Sequence, residues 1–575
     1  MKISTEYPGG KMLKRITIAL IIIFLSIITE TYAASPRPAV AEHGMVVAAE
    51  KDAAEVGLSV LEDGGNAIDA AVAVAAALNV TEGYSSGMGG GCFILVYRAD
   101  DDSVYVIDGR ERAPLKGSRD MYVNKDGSIK EGESTDGITA VGTPGEAAAL
   151  DMIHSKWGTK TWRELLEPAI ALADTGIVVT RTYAERLAYN KDKLLKFPST
   201  KAVFFPEGDT LPYVFGDRLI QKDLAKFLDS LAVNGSGWFY GSQFTRDFAE
   251  YSKVNKGYLR LNDFAEYKAV ERVPIHGEFR GYDIYSMPPP SSGGIHVVQM
   301  LQMLKPFNLS YWGANSSETI HILAEVMSLA FADRAFYLGD PDFVEVPTAE
   351  LLDSTYLAMQ RARIKPYQAL NIQGPGTLPG AEPSHTTHFS IIDKDGNMVA
   401  MTATINTSFG SGVVLPGWGL LLNNEMDDFS IQPGVPNFYG LVGSEANAIA
   451  PGKRPLSSMS PTIVLKDGKP AGIFGSPGGP RIITTVVQAI LNVVEFGMDI
   501  QTAVDCPRVH HQWKPDVIFV EPEITSDVLS GLIAKGHQVY QSGWWSSAEC
   551  IWIDPDTGLI TGGTDSRTEG EAAGY

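Results

Sequence analysis

The sequence predicts a layered α+β domain in which antiparallel sheets are covered by helices, and three observations carry that expectation. A hairpin signature occurs repeatedly in the last third of the chain. Strand patterns flank Asp395-Gly396 (Thr386–Ile392 and Met398–Ile405) and Asp467-Gly468 (Thr462–Leu465 and Gly472–Ser476), and a further pair spans Ile551–Ile553 and Leu559–Thr561. Helical stretches such as Ile482–Phe496 alternate with these hairpins, and the middle of the chain, about 145–365, is dominated by helical patterns. The composition is 44% hydrophobic and 20% charged over 575 residues, too apolar and too mixed for a disordered or fibrous chain. Layering sheets under helices is the economical way to bury one face of each. Length alone suggests three or four domains, and no internal repeat of fixed period is evident.

Taken in order, the N-terminus reads as an export signal. Lys11, Lys14 and Arg15 precede a mostly apolar run from Ile16 to Ile28, with small residues at Thr31, Ala33 and Ala34. The run is shorter than the ~20 residues needed to cross a bilayer, so no stable membrane insertion is expected. Residues 1–33 are assigned to this signal, and the working protein is expected in the periplasm or outside the cell. Helical spacing then begins at Lys51 and stops at Gly64-Gly65; Asn66 caps a second run, Ala67 to Val80, apolar nearly all round. Strands follow at Cys92–Tyr97 and Ser103–Ile107, split by the acidic turn Asp100–Asp102. Helices are expected after Pro288-Pro289-Pro290, near Ser291-Ser292-Gly293-Gly294, and over Glu318–Tyr337. Between Gly374 and Pro383 six of ten residues are Gly or Pro, which reads as a surface linker.

Charge and cysteine content exclude several classes. With 47 basic against 68 acidic residues the net charge is −21, unsuited to a nucleic-acid partner whose binding rests on neutralising phosphates. Only Cys92, Cys506 and Cys550 occur, without a C-x-x-C pair, which argues against a disulfide scaffold or a structural zinc site. Gly83-Tyr84-Ser85-Ser86-Gly87 matches G-x-S-x-G, but a nucleophile elbow runs strand, serine, helix, and here the helix comes first. His385 and His388 are three apart in an extended stretch and point to opposite faces; His510-His511 shares the defect, so no metal set and no cofactor is expected.

One constellation carries chemistry. The Gly/Pro linker ends at His385, and Thr386 opens a strand. If the bond between them were cut, Thr386 would present a hydroxyl beside a free α-amine. Such an amine titrates near pH ~8, so part of it is unprotonated near neutrality and can act as base for the adjacent hydroxyl.

The chain resembles the γ-glutamyltranspeptidase (glutathione hydrolase) family of N-terminal-nucleophile hydrolases. The likeness is carried by Asp108-Gly109-Arg110-Glu111-Arg112-Ala113-Pro114, Met287–Gly294, Thr386-Thr387-His388-Phe389-Ser390, Asn423–Ser430, Pro455–Thr462 and Gly475-Ser476-Pro477-Gly478-Gly479. It runs from about residue 40 to the C-terminal Ala573-Gly574-Tyr575. The resemblance implies a four-layer αββα sandwich made jointly by two autoprocessed subunits, a large one of residues 34–385 and a small one of 386–575, held together as a heterodimer. Residue 385 is His where bacterial members often carry Gln.

The resemblance also implies roles. Thr386 would attack the γ-carbonyl of a γ-glutamyl amide with help from Thr404. Backbone amides of Gly478 and Gly479 would hold the oxyanion, since Pro480 cannot donate. Arg110 would bind the glutamyl carboxylate with Ser457 and Ser458 as neutral donors. Asp428 would take the ammonium, supported by Asn406 and by Glu425, where some members carry Gln. Thr404 and Asn406, two apart, would face the same way along one strand, and Tyr439 resembles the tip of a lid loop. The expected reaction is release of glutamate from glutathione and related γ-glutamyl compounds, or transfer to amino-acid or dipeptide acceptors. Two alternatives stand beside it. A glutaryl-type acylase would leave Asp428 without a partner; an inactive extracellular binding protein would remain uncut.

Overall fold

Antiparallel pairing of consecutive hairpins, as the Asp-Gly turns demand, builds two seven-stranded sheets in the computed structural model, which describes residues 36–370, 386–543 and 545–575. The strands are β1 (Ala39–Ala41), β2 (Met45–Ala48), β3 (Gly91–Arg98), β4 (Ser103–Gly109), β5 (Val270–Arg272), β6 (Ile275–Phe279) and β7 (Tyr282–Ser286). They continue as β8 (Thr387–Ile392), β9 (Met398–Thr404), β10 (Thr462–Lys466), β11 (Lys469–Phe474), β12 (Glu549–Ile553), β13 (Ile560–Thr564) and β14 (Glu571–Gly574). One sheet runs β14-β2-β8-β9-β3-β4-β5; the other runs β1-β13-β12-β11-β10-β7-β6. The signal segment 1–33, the linker Gly374–Pro383 and His385 lie outside the described residues.

Side-chain alternation shows which face of the first sheet meets what. Cys92, Ile94 and Val96 of β3, with Val399, Met401 and Ala403 of β9, join one apolar cluster with the helices α1 (Lys51–Glu62) and α2 (Ala67–Thr81). Phe93 and Leu95, with Met398 and Ala400, point the other way and pack against the second sheet. That sheet's far side is covered by α3 (Gly293–Leu304) and α5 (Arg481–Val494), with α4 (Ser317–Tyr337) stacked on α3. The result is the expected four-layer αββα order, and Pro38–Tyr575 forms one unit where length alone suggests several.

The sequence signals act where they were expected. Asn66 accepts from the amides of Ile68 and Asp69, and the Asp69 carboxylate returns a bond to the Asn66 amide, so α2 begins abruptly. Asp467 and Gly468 both take positive φ, the geometry of a tight hairpin turn. Among the described residues no helix is long and apolar enough to cross a membrane. The three cysteines are free, with Cys92 and Cys550 buried.

Candidate active site

Register sets the centre of the site. In the β8–β9 hairpin Thr387 lies opposite Ala403 and His388 opposite Thr402, so Thr386, one step before β8, faces Thr404. The two hydroxyl oxygens are 3.3 Å apart and both residues are buried. Residues 386, 388, 390, 402 and 404 all fall on the face that looks into the inter-sheet space. His388 exploits this: its ring nitrogens bond Thr402 Oγ1 (2.8 Å) and Ser390 Oγ (3.2 Å), and burial pulls its pKa down to about 3, so it is a neutral structural group. Its ring leaves no room for a side chain at Gly475, where a Cβ would come within 2.1 Å.

A cleft of about 310 Å³ opens beside Thr386, and its lining includes Thr404, Asn406, Glu425, Asp428, Tyr439, Ser457, Ser458, Gly479, Arg110 and Arg334. Residues predicted from seven separate stretches of sequence therefore meet around one space. Arg110 extends from the end of β4, where Asp108 accepts its amide (2.9 Å), Tyr267 donates to its carbonyl (2.8 Å) and Pro455 O takes its Nε (3.2 Å). Its two terminal nitrogens contact Glu425 and Asp428, with Glu111 at 3.5 Å. Burial alone would lower the Arg110 pKa, but Glu425, Asp428 and Glu111 outweigh it and raise it, so the cation is permanent.

Those carboxyls are not equivalent. Burial, partly offset by Arg110, pushes Glu425 well above the ordinary carboxylate range, and neighbouring Glu111 and Asp428 push the same way. Glu111 is raised to about 7, again by burial first. Both carboxyls are thereby shifted toward the proton-bound form. A protonated Glu425 is a neutral donor, the same hydrogen-bonding pattern an amide offers at that position.

Ser457 and Ser458 sit on a loop docked against the Pro288–Gly294 helix entry: the Ser457 amide donates to Pro290 O (2.9 Å) and its carbonyl accepts from Ser292 (2.8 Å, Oγ). Ser457 Oγ accepts from the Met459 amide (3.1 Å), and Ser458 Oγ accepts from Arg334 Nη2 (3.1 Å). A hydroxyl that accepts in this way still has its own proton to give. Arg334 is buried at the end of α4 and also donates to Ser292 Oγ (3.0 Å); burial lowers its pKa to about 10. Sequence reasoning missed it. The available signal was a charged Asp333-Arg334 pair near the end of a largely buried helix, a pattern that demands buried partners.

Asn406 reaches the cleft for a different reason than expected. The strand ends at Thr404, and Asn406 lies past it with φ +75°, its amide donating to Thr404 Oγ1 (2.8 Å) and its side chain to Asn424 O (3.0 Å). Tyr439 closes over it, donating its hydroxyl to Asn406 O (2.7 Å). Gly478 and Gly479 take φ +134° and +55° in the turn entering α5, and among the described residues neither amide donates to a backbone carbonyl. Gly479 lines the cleft; Gly478 is not among the lining residues and packs against Ser546. Ser85 follows a helix and precedes β3, so the G-x-S-x-G match is no elbow. His510 bonds Thr484 and Gln512, whereas His511 bonds Asp516, so that pair shares nothing.

The chain is similar over its length to known proteins. The profile described as gamma-glutamyltranspeptidase matches residues 53–575. A glutathione hydrolase proenzyme of Escherichia coli K12 is 45% identical over 545 residues, covering 94% of this chain and 93% of its own. Among solved structures, a cephalosporin acylase from Bacillus halodurans superposes with a TM-score of 0.83 at 29% identity, covering 95% of this chain and 98% of its own. The gamma-glutamyltranspeptidase of Helicobacter pylori gives 0.55 at 40% identity, covering 56% and 91%. The extent of the profile match and the identity across nearly the whole length place this chain in the gamma-glutamyltranspeptidase family.

Proposed function

We propose that this chain is an exported proenzyme that cuts itself between His385 and Thr386 and then acts as a γ-glutamyltransferase and glutathione hydrolase. Residues 34–385 and 386–575 remain together as large and small subunits. The observation that carries the reading is the single cleft in which Thr386 and Thr404 meet a permanent cation, a carboxylate and several neutral donors.

In this reading the freed α-amine of Thr386 takes the proton from Oγ1 as that oxygen attacks the γ-carbonyl. Thr404, 3.3 Å away and itself accepting from Asn406, orients the hydroxyl. The oxyanion is met by the Gly478 and Gly479 amides; loss of one such donor costs about 3–4 kcal/mol of barrier. The amine leaves with the proton, and water or an amino-acid or dipeptide acceptor resolves the γ-glutamyl ester. Arg110 draws the glutamyl carboxylate, aided by Ser457 and Ser458, while Asp428 draws the ammonium with Asn406 and Glu425 beside it. In the substrate-free cleft Arg110 and Asp428 pair with each other, so the charged ends of the glutamyl head compete with that contact for both groups.

The acylase alternative has a relative in its favour, the Bacillus halodurans structure. A glutaryl side chain has no ammonium, however, and would leave Asp428 facing Arg110 alone. The test is N-terminal sequencing of the small fragment with turnover of γ-glutamyl and glutaryl anilides. A new terminus at Thr386 and preference for the γ-glutamyl anilide are expected. Thr386→Ala should remain in one piece and inactive; normal scission in that variant would overturn the shared-nucleophile reading.

A further inference from the structure

We propose that His321, Glu325 and His537 form a binding site for one divalent transition-metal ion of the zinc class, separate from the cleft at Thr386. None of the three lines that cleft. His321 and Glu325 stand one turn apart on α4 and so share a face, and His537 follows the helix Ser526–Ala534 that packs against it. One ligand atom from each lies within 4.8 Å of the others. His321 Nδ1 is 2.7 Å from His537 Nε2, and a Glu325 carboxylate oxygen is 4.0 Å from the first and 3.7 Å from the second.

The arrangement is primed in two ways. His321 Nε2 is 2.7 Å from the Lys365 carbonyl, which can only accept, so the proton sits on Nε2 and the lone pair of Nδ1 points inward. A ligating histidine typically has this orientation, its far nitrogen anchored on a carbonyl. His537 Nε2 donates to that lone pair; moving its proton to the other nitrogen frees a second lone pair for a metal. Both imidazoles are held neutral by burial, the form a metal requires.

Glu325 supplies the second, independent sign. Its Oε1 accepts from the Leu370 amide (3.0 Å), but its Oε2 is buried and has no hydrogen-bond partner among the described residues. A buried carboxylate left this way needs a proton or a cation. Metal–nitrogen bonds of about 2.0–2.1 Å in a tetrahedral site would require the two imidazole nitrogens to part by roughly 0.6 Å, within the reach of side-chain rotation. Two nitrogens, one carboxylate and an open or water-filled fourth position suit zinc better than magnesium or calcium, which prefer all-oxygen shells. The ion would also join the segment before Thr386 to the one after it, clamping the two subunits; that consequence alone rests on the proposed scission.

The test uses the untagged, processed protein, treated with EDTA, desalted and titrated with zinc chloride. Expected are about one zinc retained per subunit pair and a rise in unfolding temperature with zinc. Glu325→Gln and His537→Gln should each bind zinc roughly tenfold or more weakly and lose the rise, while turnover of a γ-glutamyl anilide stays near wild type. Failure of the wild type to retain zinc would overturn the proposal. So would zinc retention unchanged in both variants. Neither result would touch the assignment of the Thr386 cleft, which the turnover assay reads separately.

Discussion

Thr386 Oγ1 and Thr404 Oγ1 stand 3.3 Å apart because the β8–β9 register places the residue before one strand opposite the last residue of the other. The pair is therefore a product of hairpin geometry, and its partner bonds extend it: Thr404 Oγ1 also takes the Asn406 amide. Thr404→Val would remove the contact and leave that buried N–H unpaired, a loss of about 1–3 kcal/mol. The expected result is kcat reduced roughly tenfold or more with KM little changed, and recovery in Thr404→Ser, measured with a γ-glutamyl anilide.

Arg110→Lys keeps the charge but loses the planar fork that touches Glu425 and Asp428 together. KM for γ-glutamyl donors should rise about tenfold, with kcat affected less. An unchanged KM would remove Arg110 from the carboxylate role.

Asp428→Asn tests the ammonium role. A charge-assisted hydrogen bond is worth about 1.5–3 kcal/mol, so the advantage of a γ-glutamyl over a glutaryl anilide should shrink by about tenfold or more. Retention of the full preference would assign the ammonium to another partner.

Stability should fall as pH rises. Burial raises Glu146 to about 8 and Glu111 to about 7 from ordinary values near 4.5. A carboxyl with a raised folded pKa binds more protons folded than unfolded between the two values. Its stabilising effect is complete below the unfolded pKa and is lost as pH climbs to the folded one, at roughly 1.4 kcal/mol per pH unit for each group. The unfolding temperature should drop between about pH 6.5 and 8, above the range in which buried neutral His388 works the other way, and Glu146→Gln should flatten that slope.

Gly475→Ala should destabilise the protein by about 1–3 kcal/mol, since its Cβ would overlap the buried His388 ring. Thermal unfolding followed by circular dichroism reads this directly. A melting temperature equal to wild type would mean the ring has another place to go.

Much of the fold was legible because its signals are local. Asp395-Gly396 and Asp467-Gly468 force hairpins whatever surrounds them, and Asn66 with Asp69 starts α2 by bonds within four residues. The same locality made Thr386 readable as the residue that opens a strand after a linker. Arg334 was not readable in this way. Its partners Ser292 and Ser458 are 42 and 124 residues distant, so nothing near it in the chain reveals its task.

By itself the sequence determined the capped helix after Asn66, the Asp-Gly hairpins and the residue types able to do the chemistry, because turns, caps and side-chain period act over a few residues. Tertiary structure decided the rest. It stacked the two sheets so that Thr386 and Thr404 face the space between them and its cleft, brought Arg110 from one strand end against Glu425 and Asp428, 315 and 318 residues later, and by burial raised the pKa of Glu425. Charge, distance and water exclusion are properties of neighbours in space, and the linear chain does not contain them until it folds.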